Sequence, residues 1–361
     1  MKDQSIPEEL IINEILPRLP VKSLLRFRSV CKAWHSTISS RYFIESHRRY
    51  KQSKVHVVHC SNNIQDTCSI NIDRLSEGRN LQHYYRVPRL RVNDIINSSH
   101  DLVVLGHKDG YLLSNPAMQE SLNLPHPPSW VDAIFPVVGF GFVLSLGKYK
   151  MVNITSGIGT QDTCEVLSVG MDISWRIGKT PPSSIYPFGH TPYLHGNLHM
   201  LTWRNDEDQN SKILLFNLEK ELWAMLKLPE HPIIPQCSIY QDYTGLREIQ
   251  SLLCFTCCIP NKSIDVWMLR DYENKVWSKD FVIDMTLPRV MPDGFKFRIT
   301  ELYGWFPLNV MADGTILLHI ESAMDDRWVY YDPQDGSIQL ADHKGRHTTL
   351  YAESLVPISG F

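Results

Sequence analysis

The chain has 361 residues, of which 43% are hydrophobic and 21% charged, and a formal net charge of −3 at pH 7. A single core usually stops growing at about 250–300 residues, so we expect a small module plus one large domain. No segment approaches the run of about 18 apolar residues that a membrane helix needs, and the N-terminus lacks a signal-peptide core. The 8 cysteines are too sparse for a disulfide scaffold. These features exclude a membrane-spanning or disulfide-rich secreted protein and favour an intracellular one, in the cytoplasm or nucleus.

Charge is unevenly distributed along the chain. Residues 1–54 contain 11 Lys and Arg against 5 Asp and Glu, a net charge of +6, whereas the remainder carries −9. A basic N-terminal segment is steered towards an acidic partner. Nucleic acid is the rival partner, but these cations alternate with apolar positions and form no compact block, so we expect no nucleic-acid binding.

Residues 6–44 have the pattern of three short helices. Ser5 and Glu8 have the spacing of a capping box, and Pro7 suits a first helical turn, whereas Pro17 is expected to shorten or kink the end of the first helix. Apolar side chains recur at helical spacing in each: Leu10, Ile11, Ile15 and Leu19, then Leu24 and Phe27, then Val30, Cys31, Trp34 and Ile38. A unit of about 40 residues cannot bury its own apolar surface. We expect a partner protein to cover the rest.

This run resembles an F-box. The residues that carry the resemblance are Ile6-Pro7, Glu9-Leu10, Ile15 to Pro20, Lys22 to Phe27, and Val30 to Trp34. The resemblance implies docking onto a Skp-type adaptor and, through it, onto the cullin and RING protein of a ubiquitin ligase. The residues expected at the adaptor are Ile6, Pro7, Leu10, Ile15, Leu19, Leu24, Val30 and Trp34, some of which must instead pack the helices together.

From Val55 onwards the pattern changes to short strands. Strand pairs recur at 111–125, 164–177, 213–229, 264–281 and 328–340, with a degenerate copy at 69–87. Further hairpins are predicted at 138–154, at 193–201 around Gly196-Asn197, and at 308–320 around Asp313-Gly314. Four strands per unit predict a kelch-like β-propeller of about six blades. The strand-like tail Thr349 to Val356 is placed to close the ring.

This half of the chain resembles the F-box-associated interaction domain of plant F-box proteins. The segments that carry the resemblance are Asn115 to Pro125, Gly139 to Phe142, Val166 to Trp175, His195 to Leu198, Phe216 to Pro229, Ile264 to Trp267, and Tyr351 to Val356. The expected organisation is a small all-α F-box module at 1–50, followed by an all-β, propeller-like, substrate-binding domain at 51–361.

No segment has the pattern of a catalytic or metal site. Cys254 and Cys257 have a Cys-x-x-Cys spacing, but two further ligands are missing and the run from Leu252 to Ile259 is typical of a buried strand. The group His190, His195 and His199 has no carboxylate motif beside it, so a structural role is expected. We therefore expect no catalytic residue, metal or cofactor.

Propeller geometry predicts where a target protein binds. Crossovers between blades and loops between second and third strands share one face. The crossovers predicted here are 125–136, 179–192, 229–242 and 288–307, and the loop 204–208 is predicted between a second and a third strand. The candidate target contacts on this face are Trp130, Phe135, Tyr186, Phe188, Arg204, Trp305 and Phe306. Exposed aromatic residues are typical of interface hot spots, although each could instead fill a blade junction.

The sequence therefore predicts a non-catalytic substrate receptor of a Skp–cullin–F-box ubiquitin ligase that binds an unidentified target and no membrane. Two alternatives stay open. One is a propeller enzyme or ligand-binding protein with a helical interaction module, which a bound metal or ligand would favour. The other is an F-box scaffold that acts outside a ligase, which only cullin binding separates from the first.

Overall fold

A computed structural model describes residues 7–51, 55–63, 67–75, 81–87, 94–99, 101–107, 110–131, 135–156, 162–187, 189–203, 212–230, 244–259, 262–284, 302–322, 327–341 and 346–359. The chain begins with a helical module. Its elements are α1 (Glu8–Leu10), a π-helical turn (Ile11–Ile15), a 3-10 turn (Leu16–Arg18), α2 (Val21–Phe27), α3 (Lys32–Ser39) and α4 (Arg41–Lys51).

The first helix is irregular, as Pro17 predicts. Pro17 lies at the start of the 3-10 turn, because its ring blocks the hydrogen bond that a continuing α-helix needs. Its side chain is buried, so the irregular turn belongs to the packed side of the module. Cys31 caps the N-terminus of α3, since its Sγ accepts a hydrogen bond from the Trp34 backbone N–H at 3.4 Å.

The described strands form six four-stranded antiparallel sheets, which confirms the predicted β-propeller. The strands are β1 (Val55–Asn63), β2 (Thr67–Leu75) and β3 (Leu81–Val87); β4 (Asp94–Ser99), β5 (Leu102–His107), β6 (Gly110–Asn115) and β7 (Glu120–Asn123); β8 (Phe135–Val143), β9 (Lys148–Ser156), β10 (Thr163–Ser168) and β11 (Arg176–Ile177); β12 (Tyr193–Leu194), β13 (Asn197–Leu201), β14 (Ile213–Asn217) and β15 (Leu222–Leu226); β16 (Thr244–Ile249), β17 (Leu252–Ile259), β18 (Ser263–Asp271) and β19 (Val276–Asp284); β20 (Leu302–Val310), β21 (Ile316–Ser322), β22 (Arg327–Tyr331) and β23 (Ile338–Leu340); and β24 (Arg346–Ala352).

The last strand closes the ring, as its sequence predicts. β24 pairs antiparallel with β1, with Val55 opposite Ala352, and so becomes the first strand of the β1–β2–β3 sheet. The first strands of successive sheets lie side by side, β24 against β4, β4 against β8, and β16 against β20. The two ends of the domain therefore share one blade, and the ring leaves no unpaired inner strand at this junction.

The antiparallel order gives the propeller two distinct faces. Turns that join first to second and third to fourth strands open on one face, which we call the turn face. Crossovers between sheets and loops between second and third strands open on the other, which we call the crossover face. Asp101 lies in the β4–β5 turn and Leu144 in the β8–β9 turn, so both belong to the turn face.

The helical module packs against the turn face of the second and third blades. Buried apolar residues of the module form one hydrophobic cluster with residues of both blades and of the C-terminal segment: Leu16, Val21, Leu24, Ile38, Phe43 and Ile44 with Leu102, Val138, Phe140, Phe142, Leu355 and Val356. Two polar contacts join the same surfaces. Arg48 Nη2 lies 2.7 Å from Asp101 Oδ2, and Arg41 Nη2 donates to the Leu144 carbonyl at 3.3 Å. The module and propeller thus share a core.

Candidate functional site

The helical module exposes part of its apolar surface. Leu10 is 50% exposed, Ile15 38% and Val30 62%, and Pro7 is also exposed. Ile6 lies outside the described residues. Large apolar side chains at these exposures can be covered by a partner without any rearrangement of the chain. These four residues therefore form the accessible part of the predicted adaptor surface.

Three other predicted adaptor residues pack inside the chain to different degrees. Leu24 is fully buried in the core shared with the propeller, so its side chain holds the helices together and is not on the surface. Trp34 is half-buried and its ring lies 5.4 Å, edge-on, from that of Phe27. Leu19 is also half-buried, and its carbonyl accepts a hydrogen bond from His47 Nε2 at 2.9 Å. Helical periodicity identified these apolar residues, but it did not distinguish those that pack inside the chain from those that are exposed to a partner.

Two of the predicted target contacts are buried. Tyr186 is 6% exposed and packs 5.6 Å from the Trp203 ring. Phe306 is 9% exposed, and the Arg247 guanidinium lies 4.9 Å from its ring centroid. Both side chains fill the interior of the propeller, so neither is available on its surface.

The remaining target candidates differ in position. Trp305 belongs to the first strand of its sheet, β20, rather than to a crossover, and Phe135 is the first residue of β8. Trp130 lies in a 3-10 turn, Pro128–Val131, in the crossover between β7 and β8. Phe188 and Arg204 lie outside the described residues.

Buried polar groups anchor the crossover that carries Trp130. Glu165, only 4% exposed, accepts hydrogen bonds from the Ser129 N–H at 3.0 Å and the Ser129 hydroxyl at 2.7 Å. Asn153 Nδ2 donates to the same carboxylate at 2.9 Å, and the Tyr111 hydroxyl donates to Asn153 Oδ1 at 2.8 Å. These hydrogen bonds fix the crossover at Ser129, and a segment that is already fixed loses less entropy on binding.

Comparison with known proteins decides the family. A model of the F-box domain matches residues 4–46, and a model of the F-box associated beta propeller domain matches residues 46–355. The chain is an F-box protein of the F-box-associated propeller family. Related F-box proteins of Arabidopsis thaliana include At3g07870, which is 24% identical over 98% of this chain and 92% of its own length, and At5g18160, 28% identical over 95% and 84%. F-box protein CPR1 of the same plant is 26% identical over 76% of this chain and 72% of its own length.

The F-box is fixed to the propeller by a buried ion pair that sequence analysis did not find. The Asp101 side chain is 1% exposed and forms an ion pair with Arg48. Its Oδ2 also accepts a hydrogen bond from the Tyr149 hydroxyl at 3.5 Å. The Arg48 guanidinium also lies 5.8 Å from the Phe142 ring centroid. Burial lowers the pKa of Arg48, but the Asp101 carboxylate, together with Tyr149 and Tyr193, outweighs burial and the pKa is raised. Arg48 therefore stays charged and holds α4 on the β4–β5 turn.

We expect Arg48→Met to lower the free energy of unfolding by about 3 kcal/mol, because it removes the Arg48 guanidinium from its 2.7 Å contact with the buried Asp101 carboxylate. Arg48→Met combined with Asp101→Asn removes both charges and is expected to recover part of that loss. Urea unfolding of the two single variants and the double variant measures the coupling. Single variants within about 0.5 kcal/mol of the parent chain would show that this contact does not fix the F-box.

The Cys-x-x-Cys segment forms the predicted strand. It lies in β17, Leu252–Ile259, with Cys254 and Cys257 buried. Burial raises the pKa of the Cys254 thiol well above its usual value and that of Cys258 to about 12. Within the described ranges, no three His, Cys, Asp or Glu side chains are grouped so that they could hold a metal ion. The described helices also include none that is long and apolar enough to cross a bilayer.

Two of the clustered histidines join neighbouring blades. His199 is buried, its Nδ1 lies 3.1 Å from the Pro192 carbonyl, and its Nε2 lies 2.8 Å from the Tyr272 hydroxyl. Burial lowers the pKa of His199 to about 4, so it is neutral at physiological pH. The His195 ring packs 4.5 Å from that of Tyr272. These contacts give both histidines a packing role between the fourth and fifth sheets.

Proposed function

We propose that this F-box protein is the substrate-recognition subunit of a Skp–cullin–F-box ubiquitin ligase in the cytoplasm or nucleus. The F-box docks a Skp-type adaptor, and through it the cullin and RING protein, while the propeller binds the target. The observation that carries the proposal is the division of the F-box surface. One side is buried against the propeller, and Leu10, Ile15 and Val30 stay exposed on the rest.

Ubiquitin transfer in this proposal belongs to the partners. A receptor that binds the adaptor and the target at once raises the effective concentration of the target at the transfer site, and needs no catalytic group of its own. The shared core and the Arg48–Asp101 pair support this role, because they hold the two binding surfaces in a defined relative orientation.

Purification of the tagged chain from plant cells tests the proposal. We expect a Skp-type adaptor and a cullin in the purified material. Adaptor without cullin would support a scaffold outside a ligase, and stoichiometric metal without adaptor would support a ligand-binding or enzymatic propeller. Absence of adaptor would contradict the proposal.

We further propose that the target binds the crossover face. This face lies opposite the F-box, so a bound target leaves the adaptor surface free, and the crossover that carries Trp130 is anchored by Glu165. Tryptophan is a frequent hot-spot residue, and its loss at an interface costs about 2 kcal/mol or more.

The variant Trp130→Ala is expected to lose most target recovery in a pull-down with the ligase inhibited, while adaptor recovery stays unchanged. Trp277→Ala on the outermost strand β19 is the control for loss of a tryptophan elsewhere. Full target recovery by the folded Trp130→Ala variant would assign the target to another surface.

A further inference from the structure

A second apolar surface lies on the turn face beside the F-box. It consists of large side chains that are strongly exposed: Tyr42 at 81%, Leu144 at 64%, Leu146 at 44%, Met171 at 59% and Ile173 at 96%. Tyr42 belongs to α4, and the others belong to the β8–β9 and β10–β11 connections of the third blade. We call these five residues the apolar shelf.

Contacts on the turn face show that the parts of the shelf adjoin one another. Arg41, the neighbour of Tyr42, donates to the Leu144 carbonyl at 3.3 Å, which joins α4 to the β8–β9 turn. Lys148 at the end of that turn donates to the Ser359 carbonyl at 2.8 Å. A Cβ placed on Gly170, in the β10–β11 connection, would lie 3.5 Å from the same Ser359 carbonyl. The C-terminal segment thus connects both turns.

Packing within the chain does not account for this exposure. Single exposed apolar residues are ordinary on a protein surface, but several that adjoin one another mark an interaction site. Leu144 and Leu146 also occupy a turn, where polar residues are preferred, so the fold does not require leucine at either position.

We propose that the Skp-type adaptor extends from the F-box onto the apolar shelf. This inference rests on the proposed function, because it adds a propeller surface to the same adaptor contact. The shelf is continuous with the F-box through α4 and lies on the same face, whereas the crossovers lie on the opposite face. An adaptor seated on the F-box therefore reaches the shelf without displacing a target.

Charge supports the same occupant. The first 54 residues carry a net charge of +6, and Arg41 and Lys148 flank Leu144 and Leu146. A partner with an apolar contact surface and an acidic rim complements this arrangement. Apolar burial at the centre and opposite charges at the edge give an interface both affinity and orientation.

The variant Leu144→Asp, Leu146→Asp tests the proposal, since aspartate is well tolerated in turns. Its dissociation constant for a purified Skp-type adaptor is expected to rise about tenfold or more. Val276→Asp, Val282→Asp is the matched control, because these side chains are 51% and 53% exposed on β19 of the fifth blade. We expect the control to bind the adaptor like the parent chain.

An F-box variant, Leu10→Asp, separates failure of this proposal from failure of the proposed function. If the parent chain does not bind the adaptor, the receptor proposal fails and the shelf proposal fails with it. If the parent chain binds, Leu10→Asp weakens binding and the shelf variant binds normally, only the shelf proposal is overturned. If the shelf variant keeps its adaptor affinity but no longer forms a dimer, the shelf binds a second copy of the chain and the proposal is overturned. If it keeps its adaptor affinity but no longer binds the target, the shelf belongs to the target and the proposal is likewise overturned.

Discussion

The variant Leu10→Asp, Val30→Asp is expected to lose at least about 100-fold in affinity for a Skp-type adaptor, equivalent to about 2.7 kcal/mol. Both side chains are exposed in the free chain, at 50% and 62%, so aspartate is solvated there and costs little. In the complex the same carboxylates would be buried against apolar groups, and this desolvation is unfavourable. The effect therefore appears in binding rather than in folding.

Titration of the purified variant with adaptor, alongside a thermal melt, measures both quantities. Val276→Asp, Val282→Asp again serves as the control for exposed apolar residues. Leu24→Ala is a useful contrast, since its fully buried side chain makes it a folding variant with an expected loss of about 2–5 kcal/mol in stability. Retention of adaptor affinity by the folded aspartate variant would show that the adaptor does not cover Leu10 and Val30.

The second large effect is expected at Asn115, which ties the C-terminal segment to the second blade. Its Nδ2 donates to the carbonyls of Ser354 at 3.1 Å and Val356 at 2.9 Å. Its Oδ1 accepts from the Tyr351 hydroxyl at 3.1 Å and the Met118 N–H at 3.3 Å. Asn115→Ala removes all four hydrogen bonds inside the protein, and we expect a loss of about 3 kcal/mol or more in the free energy of unfolding.

Urea unfolding of Asn115→Ala measures this loss. Asn123→Ala, at an exposed position on β7, is the matched control and is expected to change stability by less than about 0.5 kcal/mol. If Asn115→Ala does not fold, Tyr351→Phe, which removes the Tyr351 hydroxyl from Asn115 Oδ1 and leaves the other three Asn115 hydrogen bonds, is expected to fold with a smaller loss. Stability equal to that of the control would contradict the role assigned to Asn115.

Local patterns were sufficient to predict most of the propeller. The Asp313-Gly314 turn forms between β20 and β21 with Gly314 at a φ of 86°, a conformation that glycine adopts without strain. The tail predicted at Thr349 to Val356 provides β24, which ends at Ala352. Alternating apolar residues and turn residues are local signals, so they determine hairpins well.

The errors arose where distant segments decide the outcome. Leu24 and Leu10 follow the same helical period, but only Leu24 faces the core that the F-box shares with the propeller. Pro307 indicated a loop, because proline is rare inside strands. It is instead accommodated in β20 beside a register shift between Pro307 and Asn309, which places Trp305 and Phe306 on the inner strand.

The Arg48–Asp101 pair shows the same limit. Arg48 is one of several cations in the last helix, and Asp101 precedes an apolar strand 53 positions later in the chain. No spacing rule connects the two residues, because the contact depends on how the F-box sits on the turn face. By contrast, the Asn115-Pro116 pair that joins β6 to its turn was visible as a family motif.

The central claim is that the F-box holds an adaptor while its other side is built into the propeller. Mixing the purified 361-residue chain with a purified Skp-type adaptor, followed by size-exclusion chromatography with light scattering, tests it most directly. We predict one peak with the mass of a 1:1 complex, and its loss in the Leu10→Asp, Val30→Asp variant. Two separate peaks with a folded parent chain would contradict the account.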